Sequence, residues 1–279
     1  WFISNHSLQY ISLSPNITEI KKFAFGSCNQ LVTILIQPNS ELHTIGEKAF
    51  SKTSIVNFTF PKHVKQISYG LFEFCQKLEK IEVDQNSELQ IIEKNAFESS
   101  SIKSLSIPSS MVEFREGWCH NAKDLVNIKI IKNDKENIML YDDTFILGKS
   151  NLENDAFDVL IFARRDVKTP TIPPFVKIIS AYAFERCTKL KTVTIPEDSQ
   201  LEYIGNYAFA YSTIKSFTIP PHLKSIGESA FEFCSMLQNV DIHQNSALRV
   251  VQKNAFSYSS IKTFTTPLHL TIIGEGAFS

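Results

Sequence analysis

The sequence predicts an α/β solenoid with one parallel β-sheet on a concave face, short 3₁₀ or α turns on the opposite side, and an interrupting β-hairpin. Three observations predict it. An Ala-Phe pair recurs along nearly the whole chain, as Ala24-Phe25, Ala49-Phe50, Ala96-Phe97, Ala183-Phe184, Ala208-Phe209, Ala230-Phe231, Ala255-Phe256 and Ala277-Phe278. The phenylalanine slots fall at 25, 50, 72, 97 and 119, then at 184, 209, 231, 256 and 278, so steps of 25 and 22 residues alternate. Each step also holds a stretch of apolar–polar alternation. A fixed period of this size describes coils that cannot bury an apolar face alone and do so by stacking.

The elements follow in order along each coil. The long unit places Phe25, Cys28, Leu31, Ile34 and Ile36 in register with Phe72, Cys75, Leu78, Ile81 and Val83. The second half repeats this with Phe184, Cys187, Leu190, Val193 and Ile195, then Phe231, Cys234, Leu237, Val240 and Ile242. The short unit gives Phe50, Ile55, Phe58 and Phe60-Pro61, and likewise Phe209, Ile214, Phe217 and Ile219-Pro220. The last residues of each set alternate with period two and are rich in Ile, Val, Phe and Thr, which predicts a half-buried strand. Proline ends it, because proline cannot donate to a ladder. Equivalent strands of neighbouring coils should lie about 4.8 Å apart and parallel. The next segment, such as Leu42 to Phe50, is too short for an independent helix. It reads as a turn followed by a one-turn 3₁₀ or α segment.

A longer duplication lies over the repeats. Residues 78–108 match 237–267 at an offset of 159, and Pro61 and Pro220 keep that offset. Residues 1–131 and 172–279 are thus two repeat blocks, and 132–171 breaks the register. Within the break, Asn137–Leu147 and Phe157–Ala163 read as two strands, with turn residues Gly148–Asp155 between them. An antiparallel hairpin is expected there, with Ile172-Pro173 restoring the register. The apolar flanks argue against a disordered linker, so the expectation is one continuous solenoid domain.

Composition narrows the function classes. The charge is balanced, with 28 basic and 29 acidic residues, which argues against a nucleic-acid surface. No run of eighteen apolar residues exists, so no membrane span is expected in this chain. The start, Trp1-Phe2-Ile3-Ser4-Asn5-His6, lacks the basic and apolar regions of a signal peptide.

Candidate chemistry is sparse. Cys28, Cys75, Cys187 and Cys234 share one repeat position, so Cys28 and Cys75 lie two coils apart, roughly 10 Å by strand spacing. A disulfide needs Cα atoms within about 7 Å, so buried free thiols are expected, Cys119 included. Cys119-His120 could suggest a nucleophile and base, but adjacent side chains point apart and no third group orients them. His63, His222 and His269 share a turn position and are spread along the stack rather than gathered around a metal. Gly148-Lys149-Ser150 ends like a phosphate-binding loop, but Asp143 stands where its first glycine is required. No catalytic residue, cofactor site or metal site is therefore expected. Asn5, Asn16 and Asn57 begin glycosylation sequons, which matter only in a secreted chain.

What remains is surface. Two columns of side chains should point away from the core, one rung per strand. The rungs are Tyr10/Ser12, Thr33/Leu35, Asn57/Thr59, Lys80/Glu82, Ser104/Ser106, Asn127/Lys129, Thr192/Thr194, Ser216/Thr218, Asn239/Asp241 and Thr263/Thr265. Repeat proteins bind partners on such faces, so Asn57, Thr59, Lys80, Glu82, Asn127, Lys129, Thr192, Thr194, Ser216, Thr218, Asn239 and Asp241 are candidate partner-binding residues. A Thr-x-Thr ladder also suits an ice surface, but the charged rungs at Lys80/Glu82 and Asn239/Asp241 spoil a regular lattice. The apolar hairpin is a second candidate contact site.

The recurring pattern I-x-x-I-G-x-x-A-F-x-x-C-x-x-L-x-x-I-x-I-P resembles the BspA-type leucine-rich repeat over nearly all of the chain. Departures occur at Leu71-Phe72, Trp118-Cys119 and Thr266. The resemblance implies a leucine-rich-repeat solenoid and a non-enzymatic protein-interaction module. Members are surface proteins of bacteria and parasitic protozoa linked to adhesion, so it implies a cell-surface or extracellular location and a protein partner, such as a host protein. An intracellular scaffold built on the same solenoid is the alternative.

Overall fold

The computed structural model describes residues 4–279; Trp1, Phe2 and Ile3, which open the segment read for a leader, lie outside the described residues. The chain forms two compact units, Trp1–Ile138 and Met139–Ser279.

In the first unit, Tyr10–Leu13 pairs in parallel with Thr33–Ile36. Asn57–Phe60, Lys80–Val83, Ser104–Pro108 and Asn127–Ile131 form a four-stranded parallel sheet. The alternation seen in the sequence sets the faces. In Asn57–Phe60, Asn57 and Thr59 are exposed while Phe58 and Phe60 are buried. In the second unit, Ser216–Ile219 pairs with Asn239–Ile242. The preceding rungs are single bridges, Thr171 to Thr194 and Thr192 to Ser216. At the first of these Pro170 shortens the ladder, since it has no N–H to give to the neighbouring coil. The final expected rung, Thr263/Thr265, lies outside any strand. There Thr266 replaces the apolar residue that precedes proline in the other short units, and the strand loses a buried anchor.

The expected helical turns are absent, because no helix occurs among the described residues. The Leu-x-x-Ile segment instead makes a second set of parallel pairs. Glu19–Ile20 pairs with Thr44–Ile45, and Gln66–Ile67, Ile91–Ile92 and Glu113–Phe114 form a three-stranded ladder. In the second unit Ile178–Ile179, Tyr203–Ile204, Ser225–Ile226, Val250–Val251 and Ile272–Ile273 continue the same way. The architecture is therefore an all-β solenoid of parallel strands, not α/β.

The hydrogen bonds give the reason. Around Phe25, alternate amides bond within the turn (Ala24 N–H to Lys21 O, 3.1 Å) and to the next coil (Phe25 N–H to Ala49 O, 2.9 Å; Ser27 N–H to Ser51 O, 2.8 Å). A helix would need those intercoil donors for itself. The residues two before and two after each phenylalanine slot have positive φ, as in Lys48 (53°) and Lys52 (56°), which a right-handed helix cannot contain. One glycine of the Ile-Gly motif has a steric cause. A Cβ on Gly205 would stand 2.5 Å from the backbone nitrogen of Ala181 in the adjacent coil.

Phenylalanine files run through each core. Phe25, Phe50, Phe72 and Phe97 follow one another at 5.9, 5.6 and 5.8 Å between ring centroids. Phe184, Phe209, Phe231, Phe256 and Phe278 follow at 4.7, 4.8, 5.1 and 5.3 Å, stacked with their planes nearly parallel. Cys119 occupies the slot after Phe97, and Trp118 meets Phe97 edge-on at 6.2 Å.

The hairpin forms between Phe145–Gly148 and Val159–Ala163, antiparallel, with a register shift at Ile146/Leu147. The stretch from Asn137 to Leu147 is not one strand, however. Asp142 and Asp143 adopt φ of 49° and 46°, and Thr144 N–H bonds back to Tyr141 O at 2.9 Å. Two consecutive left-handed residues are the signature of a tight hairpin turn. Ile138–Tyr141 therefore folds back beside Phe145–Gly148. Val159–Ala163 then pairs in parallel with Ile178–Ile179, so the hairpin joins the short-strand ladder.

Candidate functional site

The two polar columns exist within each unit. Strand register aligns Asn57 with Lys80 and Thr59 with Glu82, then Lys80 with Ser104, and Ser104 and Ser106 with Asn127 and Lys129. In the second unit Thr192, Ser216 and Asn239 form one column, and Thr194, Thr218 and Asp241 stand in the other. Asn57, Thr59, Lys80, Asn127, Lys129, Thr194, Thr218, Asn239 and Asp241 are exposed, while Glu82, Thr192 and Ser216 are half-buried. Ser106 is only 6% exposed, a short side chain set between longer neighbours, and interrupts its column. Lys80 Nζ and Glu82 Oε1 pair at 2.7 Å, so this rung presents an ion pair rather than two free charges. Tyr10 and Leu35 are exposed, adding apolar surface to the first two rungs.

These columns repeat one chemistry along a line. Hydroxyls, amides and an ion pair spaced by about 4.8 Å per rung suit hydrogen bonding to an extended partner surface. Among the described residues no group of three or more His, Cys, Asp or Glu converges as a metal site.

All five cysteines are free and buried. Burial pushes the thiols of Cys75 and Cys187 up to about 11 and that of Cys234 to about 12. Cys75 and Cys234 donate to the carbonyls of Phe50 and Phe209, each at 3.1 Å. A protonated thiol in an apolar core is a small hydrophobe, not a nucleophile. His63 Nδ1 stands 3.0 Å from Glu88 Oε1 on the surface, while His222 and His269 are exposed. Intercoil ion pairs such as Lys48–Glu73 and Lys103–Glu79 (both 2.7 Å) lock neighbouring turns. Donating to the Glu73 carboxylate raises the pKa of Lys48.

The turn side carries a feature that the alternation rule missed. In the second unit the left-handed positions after each phenylalanine bear Arg186, Tyr211, Phe233 and Tyr258. The guanidinium of Arg186 lies 4.4 Å over Tyr211, and the three rings stack at 4.7 and 4.6 Å. The rings are 36, 38 and 62% exposed. The signal was present in the sequence, because these residues recur two places after the Phe slot.

The description of the BspA type leucine rich repeat region fits residues 1–136 and 157–279, in six copies. The chain belongs to the BspA-type leucine-rich-repeat family. The break between the matched segments takes in Ile138–Tyr141 and Phe145–Gly148, while the return arm Val159–Ala163 falls within the second match. Among solved structures, the chain is similar to the pneumococcal vaccine antigen PcpA. That match has 19% identity and a TM-score of 0.72, covering 95% of this chain and 74% of the other. A leucine rich cell surface protein from Faecalibacterium prausnitzii is 20% identical, with a TM-score of 0.61 over 90% of this chain and 74% of that one. A leucine-rich repeat protein from Bacteroides ovatus is 19% identical, with a TM-score of 0.57 over 95% and 83%. At such identities the likeness concerns the fold. No curated protein matches the chain.

Proposed function

We propose that this chain is a non-enzymatic protein-interaction module displayed at a cell surface, where it binds a host or cell-surface protein through the polar columns. The observation that carries this reading is the in-register line of polar rungs from Asn57/Thr59 to Asn127/Lys129, interrupted at the buried Ser106, and again from Thr192/Thr194 to Asn239/Asp241. A rigid array of small polar groups offers many equivalent hydrogen bonds and little space for a reactive pocket. The family's surface members, and likeness to a vaccine antigen and a leucine rich cell surface protein, support the location.

The test is a pull-down from host-cell surface extract with the intact chain and with a Thr194→Arg/Thr218→Arg variant. A partner captured by the first and lost by the second supports the reading. Equal capture by both moves the contact off this face. Glycosylation of Asn16 or Asn57 on native protein from a eukaryotic source supports secretion, and an intracellular pool without it speaks against surface display.

A further inference from the structure

We propose that the strand edge at Thr171 docks an extended peptide of a partner protein, which adds to it as a β-strand and sets one side chain in the adjoining cleft. The edge adjoins the column residue Thr194, to which Thr171 is bridged, but the proposal does not rest on the role proposed for the columns.

The edge is left open by the topology of the second unit. Thr171 is bridged on one side only: Thr194 N–H bonds to Pro170 O at 2.9 Å, and Ile172 N–H bonds to Thr194 O at 3.0 Å. In a strand, successive residues send their amide and carbonyl to opposite sides. The N–H and C=O of Thr171 therefore point away from Thr194. Among the described residues neither has a hydrogen-bond partner, and Thr171 is exposed. Elsewhere in this unit the next coil supplies the second neighbour, as Ser216 does for Thr192. Here the hairpin stands where a preceding coil would be, but its return arm pairs with Ile178–Ile179 in the other ladder. The first rung of the long-strand ladder consequently keeps a free edge.

Beside that edge lies a cleft of about 510 Å³, formed by second-unit residues alone. Tyr141, Asp142, Thr144, Lys168 and Pro173 line it, over the buried ring of Phe145. The backbone groups specify the occupant. A free N–H and C=O on one extended residue are matched by another extended main chain, which is the chemistry of strand addition. Tyr141 and Phe145 favour an aliphatic or aromatic residue where the peptide side chain points inward. The missing N–H of Pro170 lies on the paired side, so proline does not spoil the open one.

The test selects short random peptides displayed on phage against the full chain, then measures the synthesised leading peptide by calorimetry. N-methylation of alternate peptide amides should weaken binding about tenfold for one alternation and leave the other unchanged, because one set faces Thr171. Thr171→Pro removes the open-side donor and spares the Ile172–Thr194 bond, so it should weaken binding about three- to tenfold with an unshifted Tm. Should that variant unfold, Thr144→Trp, which fills the cleft from the hairpin, carries the same expectation. Four results overturn the proposal: no binder tighter than millimolar; affinity indifferent to N-methylation; affinity that falls with Thr218→Arg but not with Thr144→Trp; or sedimentation showing that the edge instead pairs two copies of the chain.

Discussion

Phe209→Ala puts the stacking argument to its sharpest test. Phe209 is fully buried, with Phe184 and Phe231 stacked on its two faces at 4.7 and 4.8 Å and tilts of only 8° and 2°. Phe217 adds a tilted contact at 5.6 Å. Truncating a buried phenylalanine costs about 3–5 kcal/mol in lost transfer energy and cavity formation. Each stacked ring pair adds about 0.5–1.5 kcal/mol beyond area burial. Both faces lose a partner here, and strands fixed in both ladders cannot collapse into the space. The expected loss is therefore near the upper end, about 5 kcal/mol. Urea unfolding followed by circular dichroism reads it as a drop in midpoint. Phe278→Ala serves as the contrast, since that ring is 41% exposed and its loss should cost roughly 1–2 kcal/mol. If Phe209→Ala moves the midpoint no more than Phe278→Ala, the file does not carry the stability assigned to it.

Three further predictions concern other parts of the molecule. The double change Thr194→Ala/Thr218→Ala should alter stability by no more than about 0.5 kcal/mol, being on the solvent face, and thermal melts check this before any binding comparison. Gly205→Ala should destabilise by about 1–3 kcal/mol, because the added methyl meets backbone rather than a side chain that could yield; a chemical melt with an unchanged midpoint would contradict the close approach. The buried thiols make stability fall in alkali. Their folded pKa values are raised from 9.0 to about 11 or 12, so their contribution is full below pH 9 and is lost as pH rises through the folded values. Urea midpoints should hold up to about pH 9 and drop between about pH 9 and 11, and a Cys75→Ala/Cys187→Ala/Cys234→Ala protein should show a shallower drop from its own starting value.

The repeat made much of the fold legible, and the same repeat hid one layer of it. Phe209 and its equivalents could be placed because every coil checks the register of its neighbours. The strand faces follow from alternation, which sets Asn57 and Thr59 outside and Phe58 and Phe60 inside. The turn side forms extended pairs and not helical turns because its hydrogen bonds reach the next coil, 22 to 25 residues away, where local propensity carries no information. Its left-handed residues include Tyr182, Lys52 and Arg186, side chains that give no hint of positive φ. Asp142-Asp143 was similarly missed as a turn, since the usual glycine is lacking. Ser106 occupies a rung position like any other in the alternation, yet it is buried. The open edge at Thr171 depends on which ladder the hairpin joins, a choice that no stretch of sequence expresses alone.

The intercoil hydrogen bonds described above run from coil to coil, and this bears on how the molecule answers force. Tension applied across the ends of one unit would load those bonds in line with the pull, a few at a time, rather than shearing a whole sheet at once. Coils should then peel away successively at low force, lengthening the tether while the remaining ones keep their grip. A protein held between two moving bodies would in that way yield gradually instead of letting go.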